Sequence, residues 1–221
     1  MLGIYYLTQE REGEIGEGKY FRNMNEAILA YENHYITLHT KIHVRTSKKN
    51  AEGETVTGVI STTLGRLLFN EILPQDLGFV DRSKPENFLK PEIDFLVKKG
   101  YLKKILQRII DTHGTFATAE VLDLFKAMGY KYSTIAAMTV SIADITVPAQ
   151  KQQLLDEAQH TVDRIFKNFR RGLITEEERY RAVKQTWDEI DERLTKALLE
   201  RLDKYNNIFM MADSGARGSN Q

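Results

Sequence analysis

Apolar residues spaced alternately three and four positions apart dominate the last third of the chain. In the first stretch they are Leu155, Ala158, Val162, Ile165 and Phe169, and in the second they are Tyr180, Val183, Trp187, Ile190, Leu194 and Ala197. This spacing puts each set on one face of a helix. The connector RRGLI is short, so the pattern predicts an antiparallel helical hairpin, a two-stranded coiled coil with arms of about 22 and 28 residues, or about 33 and 42 Å. Full burial of Trp187 in this seam would make Trp187→Ala cost about 3–5 kcal/mol.

The tip of the predicted hairpin combines charge with apolar side chains. Thr175 and Glu178 have the spacing of a capping box that starts the second helix. Two arginines end the first helix, where the helix dipole favours cations, so helix capping alone could explain them. Apolar side chains beside that charge favour a docking surface on a projecting tip. We therefore assign the tip, residues 170–175, to partner docking, with the candidate residues Arg170, Arg171, Gly172, Leu173, Ile174, Thr175 and Tyr180.

The hydrophobic patterns before the hairpin are shorter, and they predict a segment that contains both helices and strands. Asn23 and Glu26 have capping-box spacing before a helix over 24–34. Apolar and polar residues alternate over 38–45, which predicts a half-buried strand. β-Branched residues over 55–60 predict its partner, with SKKNAEGE as the connecting loop. We therefore expect a small sheet beside short helices.

Proline and glycine divide the middle of the chain into further helical segments. Ser61, Thr62 or Thr63 can cap a helix that Pro74 ends. Apolar spacing predicts helical segments from Glu92, interrupted at Gly100 and closed near Gly114, and then a helix capped by Thr118 and ended at Gly129. The predicted fold class is therefore α+β, mainly α: a small mixed domain over 1–147 followed by the long hairpin over 148–221.

Composition narrows the functional classes. The 31 Lys and Arg residues balance the 31 Asp and Glu residues, so we expect no autonomous DNA binding. The absence of cysteine excludes disulfides, thiolate nucleophiles and sulfur-ligated zinc. No apolar run approaches the roughly 20 residues that span a bilayer, so we expect no membrane partner and a cytoplasmic location. Both termini look cut, as in a segment of a longer chain.

No set of residues in the sequence indicates an active site or a metal centre. His39 and His43 are four residues apart in a predicted strand, without the Glu and the helix of a metallopeptidase motif, and we expect both on the surface. The G-x-x-G-x-G run over 13–18 matches neither a dinucleotide nor a phosphate loop. The acidic residues of the second arm have the i,i+4 spacing of a solvated face, as in Glu189 with Arg193. A small hydrolase is thereby disfavoured, and we expect neither catalytic residues nor metal ligands.

The stretch MMADSGARGS over 210–219 is not explained by helix or strand patterns. It resembles a sequence of the largest catalytic subunit of multisubunit RNA polymerases, the bacterial β′ subunit. RRGLITEEERY resembles the tip of that subunit's two rim helices. EAILAYENHYITLHTKIHVR and TTLGRLLFNEILP resemble its pore segment, in the same order. The resemblance covers essentially the whole chain.

The resemblance implies that 1–147 is the pore domain and 148–221 is the funnel domain with its rim helices. Together they would line the secondary channel, through which nucleoside triphosphates enter and backtracked RNA 3′ ends leave. The rim tip would dock Gre-type transcript-cleavage factors, and Arg217 would contact the phosphates of the incoming nucleotide. The other polymerase subunits and the rest of β′ would be its partners.

The family's metal-binding aspartates lie upstream of this segment. The resemblance therefore implies that the chain holds no cofactor, that Mg²⁺ is bound elsewhere in the full enzyme, and that the chain alone is inactive. The alternative is a free-standing, non-enzymatic adaptor that uses the hairpin to bind another protein.

Overall fold

The computed structural model describes residues 1–49, 54–145 and 147–218, which form two compact units. The first comprises 1–138 and 214–217, and the second 139–213 with Gly218. Residues 50–53 of the predicted hairpin loop and Ser219 of the predicted motif lie outside the described residues. The predicted α+β, mainly α fold class is confirmed. Among the described residues, no helix combines the length and the apolar character needed to cross a bilayer.

Short elements and one long kinked helix make up the first unit. Its strands are β1 (Tyr20–Phe21), β2 (Lys41–Lys49) and β3 (Thr55–Thr63), and its helices are α1 (Leu2–Leu7), α2 (Met24–Glu32), α3 (Leu64–Glu71) and α4 (Lys99–Ala136). The second unit contains α5 (Lys151–Arg170), α6 (Glu176–Arg201) and α7 (Asn207–Asp213).

The sheet of the first unit is mixed and has the order β1-β2-β3. Strand β1 is parallel to β2, while β2 and β3 are antiparallel and in continuous register from Lys41 opposite Thr63. Ile42 and Val44 are buried and Arg45 is exposed, so the predicted alternation is confirmed over 41–45. The prediction is wrong for 38–40, because these residues precede the strand and all three are buried. One face of the sheet therefore covers the core, and the other faces away from it.

Two predicted helix starts are confirmed by their capping side chains. The Asn23 side chain accepts a hydrogen bond from the Glu26 amide at 2.9 Å. Of the three candidates before α3, Thr63 is the cap, and its hydroxyl accepts from the Arg66 amide at 3.2 Å. Each cap satisfies an amide that lacks a partner in the first turn.

The predicted helical structure from Glu92 is wrong for the first residues of that segment, because α4 begins only at Lys99. The Asn70 side chain binds both the amide and the carbonyl of Ile93, at 3.0 and 2.7 Å. The Val97 amide donates to the Thr8 hydroxyl at 3.0 Å. These distant side chains replace the helical hydrogen bonds, so tertiary contacts override the apolar spacing.

Helix α4 kinks where the sequence predicts a break, but its capping differs from the prediction. Gly114 has a non-helical backbone with φ of 79° and ψ of −178°. Thr118 is not a cap: its buried hydroxyl donates to the Gly114 carbonyl at 2.7 Å. Gly100 lies within the first turn and does not interrupt the helix.

Gly129 does not end a helix, because α4 continues to Ala136 and closes at Ala137 in a left-handed conformation. The backbone of α4 at this point lies against Gly3 of α1. A Cβ atom on Gly3 would lie 2.1 Å from the Gly129 carbonyl oxygen and 2.6 Å from the Ser133 amide nitrogen. The two helices can therefore cross only where a side chain is missing from Gly3.

The second unit contains the predicted helical hairpin, with arms of 20 and 26 residues. Its buried apolar residues are Leu154, Ala158, Val162 and Ile190. The seam therefore starts at Leu154, and the predicted Leu155 is only partly buried. Trp187 is 38% exposed, so the full burial on which the predicted cost of about 3–5 kcal/mol depends is not present. Arg193 pairs across the hairpin with Glu157 at 3.4 Å.

The prediction that His39 lies on the surface is also wrong, because its side chain is buried next to the sheet with only 3% of the residue exposed. Its ring packs edge-on against Tyr6 at 4.4 Å, and neither ring nitrogen has a hydrogen bond of regular geometry within the described residues. Burial, together with the charge of Arg11, lowers the pKa of His39 to about 4, against a smaller opposing effect from the Gln9 backbone. His39 is therefore neutral near pH 7.

Candidate docking tip and phosphate-contact loop

The backbone of the tip forms a Schellman motif at the end of α5. Gly172 has a φ of 69°, and its amide donates to the Phe169 carbonyl at 2.9 Å. The Leu173 amide donates to the Asn168 carbonyl at 3.1 Å. These two bonds satisfy carbonyls that the helix leaves free, and glycine adopts the positive φ with little strain.

Helix α6 begins immediately after this turn with the predicted capping box. The Thr175 hydroxyl accepts from the Glu178 amide at 3.3 Å, and the Thr175 amide donates to the Glu178 carboxylate at 2.7 Å. The Thr175 amide and, at 3.0 Å, the Thr175 hydroxyl donate to this carboxylate, and both bonds lower the pKa of Glu178. Residues 168–178 thus fix the turn through short-range hydrogen bonds.

Arg179 joins the two arms at the tip and was missed by the sequence analysis. Its guanidinium lies over the rings of Phe166 and Phe169, with the central carbon 5.0 and 5.3 Å from the ring centroids. It also pairs with Glu176 in the first turn of α6. Two aromatic residues three positions apart before a turn, and an arginine soon after it, were the signal available in the sequence.

The tip exposes most of the predicted docking side chains. Arg170 and Arg171 are exposed, and within the described residues neither has an ion-pair partner. Leu173 is 67% exposed and Tyr180 is 65% exposed, whereas Ile174 is half-buried. Tyr180 is therefore a surface residue and not part of the packed seam. The turn therefore exposes two cations and a large apolar side chain within four consecutive residues.

Arg217 belongs to the first unit, on a short loop over 214–217 that is fixed at the start of α4. The buried Ser214 carbonyl accepts a hydrogen bond from the Lys99 amide at 3.1 Å, and the Ser214 hydroxyl accepts from the Ala216 amide at 3.3 Å. Gly215 has a φ of 74°, and a Cβ atom there would lie 3.0 Å from the Cβ of Lys99. The loop is therefore anchored closely against α4.

The side chain of Arg217 is exposed, while Ser214 beside it is buried. Next to the loop, Ala216 lines a groove of about 420 Å³ together with Met1, Gly129 and Ser133. The anchored backbone thus presents a guanidinium to the surface, and its planar set of N–H donors suits phosphate oxygens. Arg217 and the tip residues belong to different units.

Within the described residues, no three His, Asp or Glu side chains are placed to hold a metal ion. Outside the tip and the Arg217 loop, several short polar contacts of the first unit are structural. Arg66 binds Glu10 at 2.7 Å and the Thr8 carbonyl at 3.2 Å, and the buried Glu92 carboxylate binds Arg82 at 2.8 Å. These contacts tie separate segments of the first unit together.

Two models of one protein family match successive parts of the chain. A family model described as RNA polymerase Rpb1, domain 3, matches residues 1–145, and one described as RNA polymerase Rpb1, domain 4, matches residues 174–221. The chain belongs to this family of largest RNA polymerase subunits.

Its curated relatives include bacterial proteins named DNA-directed RNA polymerase subunit beta′. The chain is 62% identical over its full length to the one from Lachnoclostridium phytofermentans, and it covers 18% of that protein. It is 51% identical over 99% of its length to the one from Caldicellulosiruptor saccharolyticus, and it covers 19% of that protein. The predicted resemblance to β′ is thereby confirmed, and the chain corresponds to about a fifth of the subunit's length.

Proposed function

We propose that this chain forms part of the secondary-channel wall of a DNA-directed RNA polymerase and that the tip of its hairpin docks Gre-type cleavage factors. The exposed tip, with two arginines beside Leu173, is the observation that carries the docking proposal. Family membership supports the polymerase context and favours it over a free-standing adaptor. The proposal includes a cytoplasmic location at the nucleoid and the other polymerase subunits as partners.

The tip suits a protein partner for two physical reasons. Its backbone is fixed by the Schellman motif and the capping box. Binding of a partner therefore costs little backbone conformational entropy at the tip. Leu173 supplies apolar area, while Arg170 and Arg171 supply a charge that can select an acidic partner surface.

We further propose that Arg217 contacts the phosphates of the incoming nucleoside triphosphate in the assembled enzyme. Its exposed side chain and its anchored loop support this role. Nucleotidyl transfer and its Mg²⁺ belong, in this proposal, to parts of the enzyme outside this chain. The chain contributes access, positioning and regulation but no catalytic residue of its own.

The docking proposal is tested by calorimetric titration of the 221-residue chain with a Gre-type factor at moderate salt. Wild type should bind saturably, and the Arg170→Glu, Arg171→Glu variant should lose at least about 10-fold in affinity. The matched control is Lys151→Glu, Lys204→Glu, which makes the same change in net charge on exposed residues away from the tip. The control should bind like wild type, and equal losses in both variants would contradict docking at the tip.

Thermal unfolding separates docking from folding. Because both arginines are exposed and without an ion pair among the described residues, the tip variant should melt close to wild type. A large drop in its melting temperature would mean that the arginines stabilise the hairpin instead.

The proposal for Arg217 is tested in the assembled polymerase with Arg217→Lys and Arg217→Ala. Lysine keeps the charge but loses the planar donors, so it should raise the KM for nucleoside triphosphates less than alanine does. An unchanged KM in both variants would exclude the phosphate contact.

A further inference from the structure

Lys48 differs from the other lysines of β2 in the face of the sheet that it occupies. Side chains of a strand alternate between the two faces, so Lys48 shares its face with the buried residues Ile42 and Val44. Lys41 and Lys49 lie on the opposite face and are exposed, whereas Lys48 is half-buried. The Lys48 side chain has therefore lost part of the hydration that its neighbours on β2 keep.

The segment over 79–92 packs against this end of the strand pair. A Cβ atom on Gly58 of β3 would lie 2.6 Å from the Cδ1 of Leu89. The Lys48 Nζ donates to the Lys90 carbonyl in the same segment at 3.3 Å. Within the described residues, no carboxylate lies within ion-pair distance of Lys48. The ammonium group is thus held by a neutral acceptor, which compensates its charge less than a carboxylate would.

A permanently charged side chain shares this acceptor. The Arg82 Nη1 donates to the Lys90 carbonyl at 3.3 Å, so the guanidinium and the Lys48 ammonium converge on one oxygen atom. The buried Glu92 carboxylate accepts from the Arg82 Nη2 at 2.8 Å and from the Phe79 amide at 2.8 Å. Because these two donors engage Glu92, its charge offsets the repulsion between the two cations only in part.

These surroundings favour the uncharged form of the Lys48 amine. Burial and, to a smaller degree, the charge of Arg82 lower the pKa of Lys48, against an opposing effect from Glu92. A larger share of this lysine is therefore neutral near pH 7 than of a fully exposed lysine. Only the neutral amine has the lone pair that nucleophilic attack requires. The partial exposure of Lys48 leaves its amine accessible to a small reagent.

The charges around Lys48 indicate the class of reagent. Lys49 precedes the loop on the same strand and Lys90 supplies the acceptor, and the side chains of both are exposed cations. Together with Arg82 they give this end of the sheet a local excess of positive charge, which concentrates anionic reagents. An acyl phosphate is an acyl donor that is both small and anionic, so it suits the charge and the limited access of the site.

We propose that Lys48 is a modification site at which the side-chain amine is acylated by acyl phosphates. The Nζ lone pair attacks the carbonyl carbon of the donor, and a C–N amide bond forms. The bond between that carbon and the phosphate oxygen breaks, and its electron pair leaves with inorganic phosphate. The proton released by the nitrogen passes to water. The product is a neutral amide, so the reaction removes one positive charge. The inference goes beyond the proposed function, which uses only the hairpin tip and Arg217.

The test is treatment of the 221-residue chain with limiting acetyl phosphate near neutral pH, with the occupancy of each site measured by mass spectrometry. Cleavage after glutamate leaves Lys48 and Lys49 on one peptide, 33–52, so the exposed Lys49 is an internal control. In the folded chain, Lys48 should be acetylated at least about 3-fold more than Lys49. In guanidinium chloride the two should react equally. Equal occupancy in the folded chain, or the same preference after unfolding, would overturn the proposal.

Two substitutions should change the ratio of Lys48 to Lys49 acetylation in opposite directions. Arg82→Gln removes the cation beside the amine and should lower the ratio by at least about 2-fold. Glu92→Gln removes the opposing anion but keeps an oxygen that can accept from Arg82, and it should raise the ratio. Loosening of the segment over 79–92 would shift both variants in the same direction. That result would assign the reactivity to access instead of charge and would overturn the proposal.

A second acyl donor tests the class of reagent. Acetyl-CoA is much larger than acetyl phosphate, so at the same concentration it should give a lower ratio of Lys48 to Lys49 acetylation, since Lys48 is half-buried and Lys49 is exposed. An equal or higher ratio with acetyl-CoA would overturn the assignment to acyl phosphates. None of these variants alters the tip or Arg217, so the outcome is independent of the docking and phosphate tests.

Discussion

The two units of the chain are stabilised in different ways. The first has a large core of fully buried side chains drawn from distant parts of the sequence, including Tyr5, Phe69, Ile93 and Ile109. The second has a small cluster of Leu154, Ala158 and Ile190 between two helices. Long-range packing therefore dominates the first unit, and local helix formation contributes a larger share of the second.

Polar interactions differ in the same sense. In the first unit, side chains such as Asn70 and Arg66 bind backbone groups that are many residues away. In the hairpin, most of the side-chain hydrogen bonds are three or four residues apart, as in Gln159 with Asp163. The effect of a substitution on neighbouring segments should therefore extend further in the first unit than in the hairpin.

Phe69→Ala should cause the largest loss of stability, and it tests the contribution of long-range packing to the first unit. Phe69 is fully buried and stacks on Phe125 with ring centroids 5.4 Å apart. Truncation should lower the free energy of unfolding of the first unit by about 3–5 kcal/mol. Urea unfolding measured by hydrogen exchange of core amides in β2 checks the value. Phe116→Ala, at an exposed site on α4, should change it by less than about 0.5 kcal/mol.

In the hairpin, Ile190→Ala should cost about 2–3 kcal/mol, because Ile190 is the buried centre of a small cluster. Trp187→Ala should cost only about 1 kcal/mol, because its ring remains partly exposed. Hydrogen exchange of α6 amides measures both variants. A larger loss for Trp187→Ala than for Ile190→Ala would contradict the described seam.

Acid should destabilise the first unit through His39. Its pKa of about 4 in the fold is below its ordinary value of 6.5, so the unfolded chain binds the extra proton as pH falls. Stability is therefore complete above about pH 6.5 and is lost progressively toward pH 4. Between pH 7.5 and 5.0 the loss from this group should be about 2 kcal/mol.

The measurement for His39 is urea unfolding at both pH values for wild type and for His39→Leu. The variant removes the titrating group from the contact with Tyr6 and should lose this part of the pH dependence. An identical pH dependence in the two proteins would assign the acid sensitivity to other groups.

Removal of the cap at the tip should have the smallest effect. Thr175→Ala deletes the hydroxyl that accepts from the Glu178 amide and should cost about 1 kcal/mol in the hairpin. Thr161→Ala, in the middle of α5, is the control and should be close to neutral. The difference in thermal melting between the two variants isolates the contribution of the cap.

Local contacts were predictable from the sequence, whereas long-range contacts were not. Capping at Asn23, Thr63 and Thr175 was predictable because the interacting groups are three residues apart. The irregular segment from Glu92 was not, because its backbone partners include Thr8 and Asn70. The close approach of Gly3 to α4 was missed for the same reason, since α1 and α4 are far apart in the sequence.

Sequence motifs located both candidate sites, the tip and the Arg217 loop. They did not predict which side chains contact each site. Arg179 was missed because its contacts with Phe166 and Phe169 cross the turn. Burial of His39 was missed because an alternating strand pattern gives no information on what covers the residues just before the strand.

The Schellman turn assigns the shape of the tip and its chemistry to different positions. Gly172, Thr175 and Glu178 determine the backbone path. The side chains of Arg170, Arg171 and Leu173 are exposed and take no part in the hydrogen bonds of the turn among the described residues. These exposed side chains can consequently diversify during evolution while the loop keeps its form. One hairpin could thus acquire new partners through a few substitutions, with no redesign of the fold that carries them.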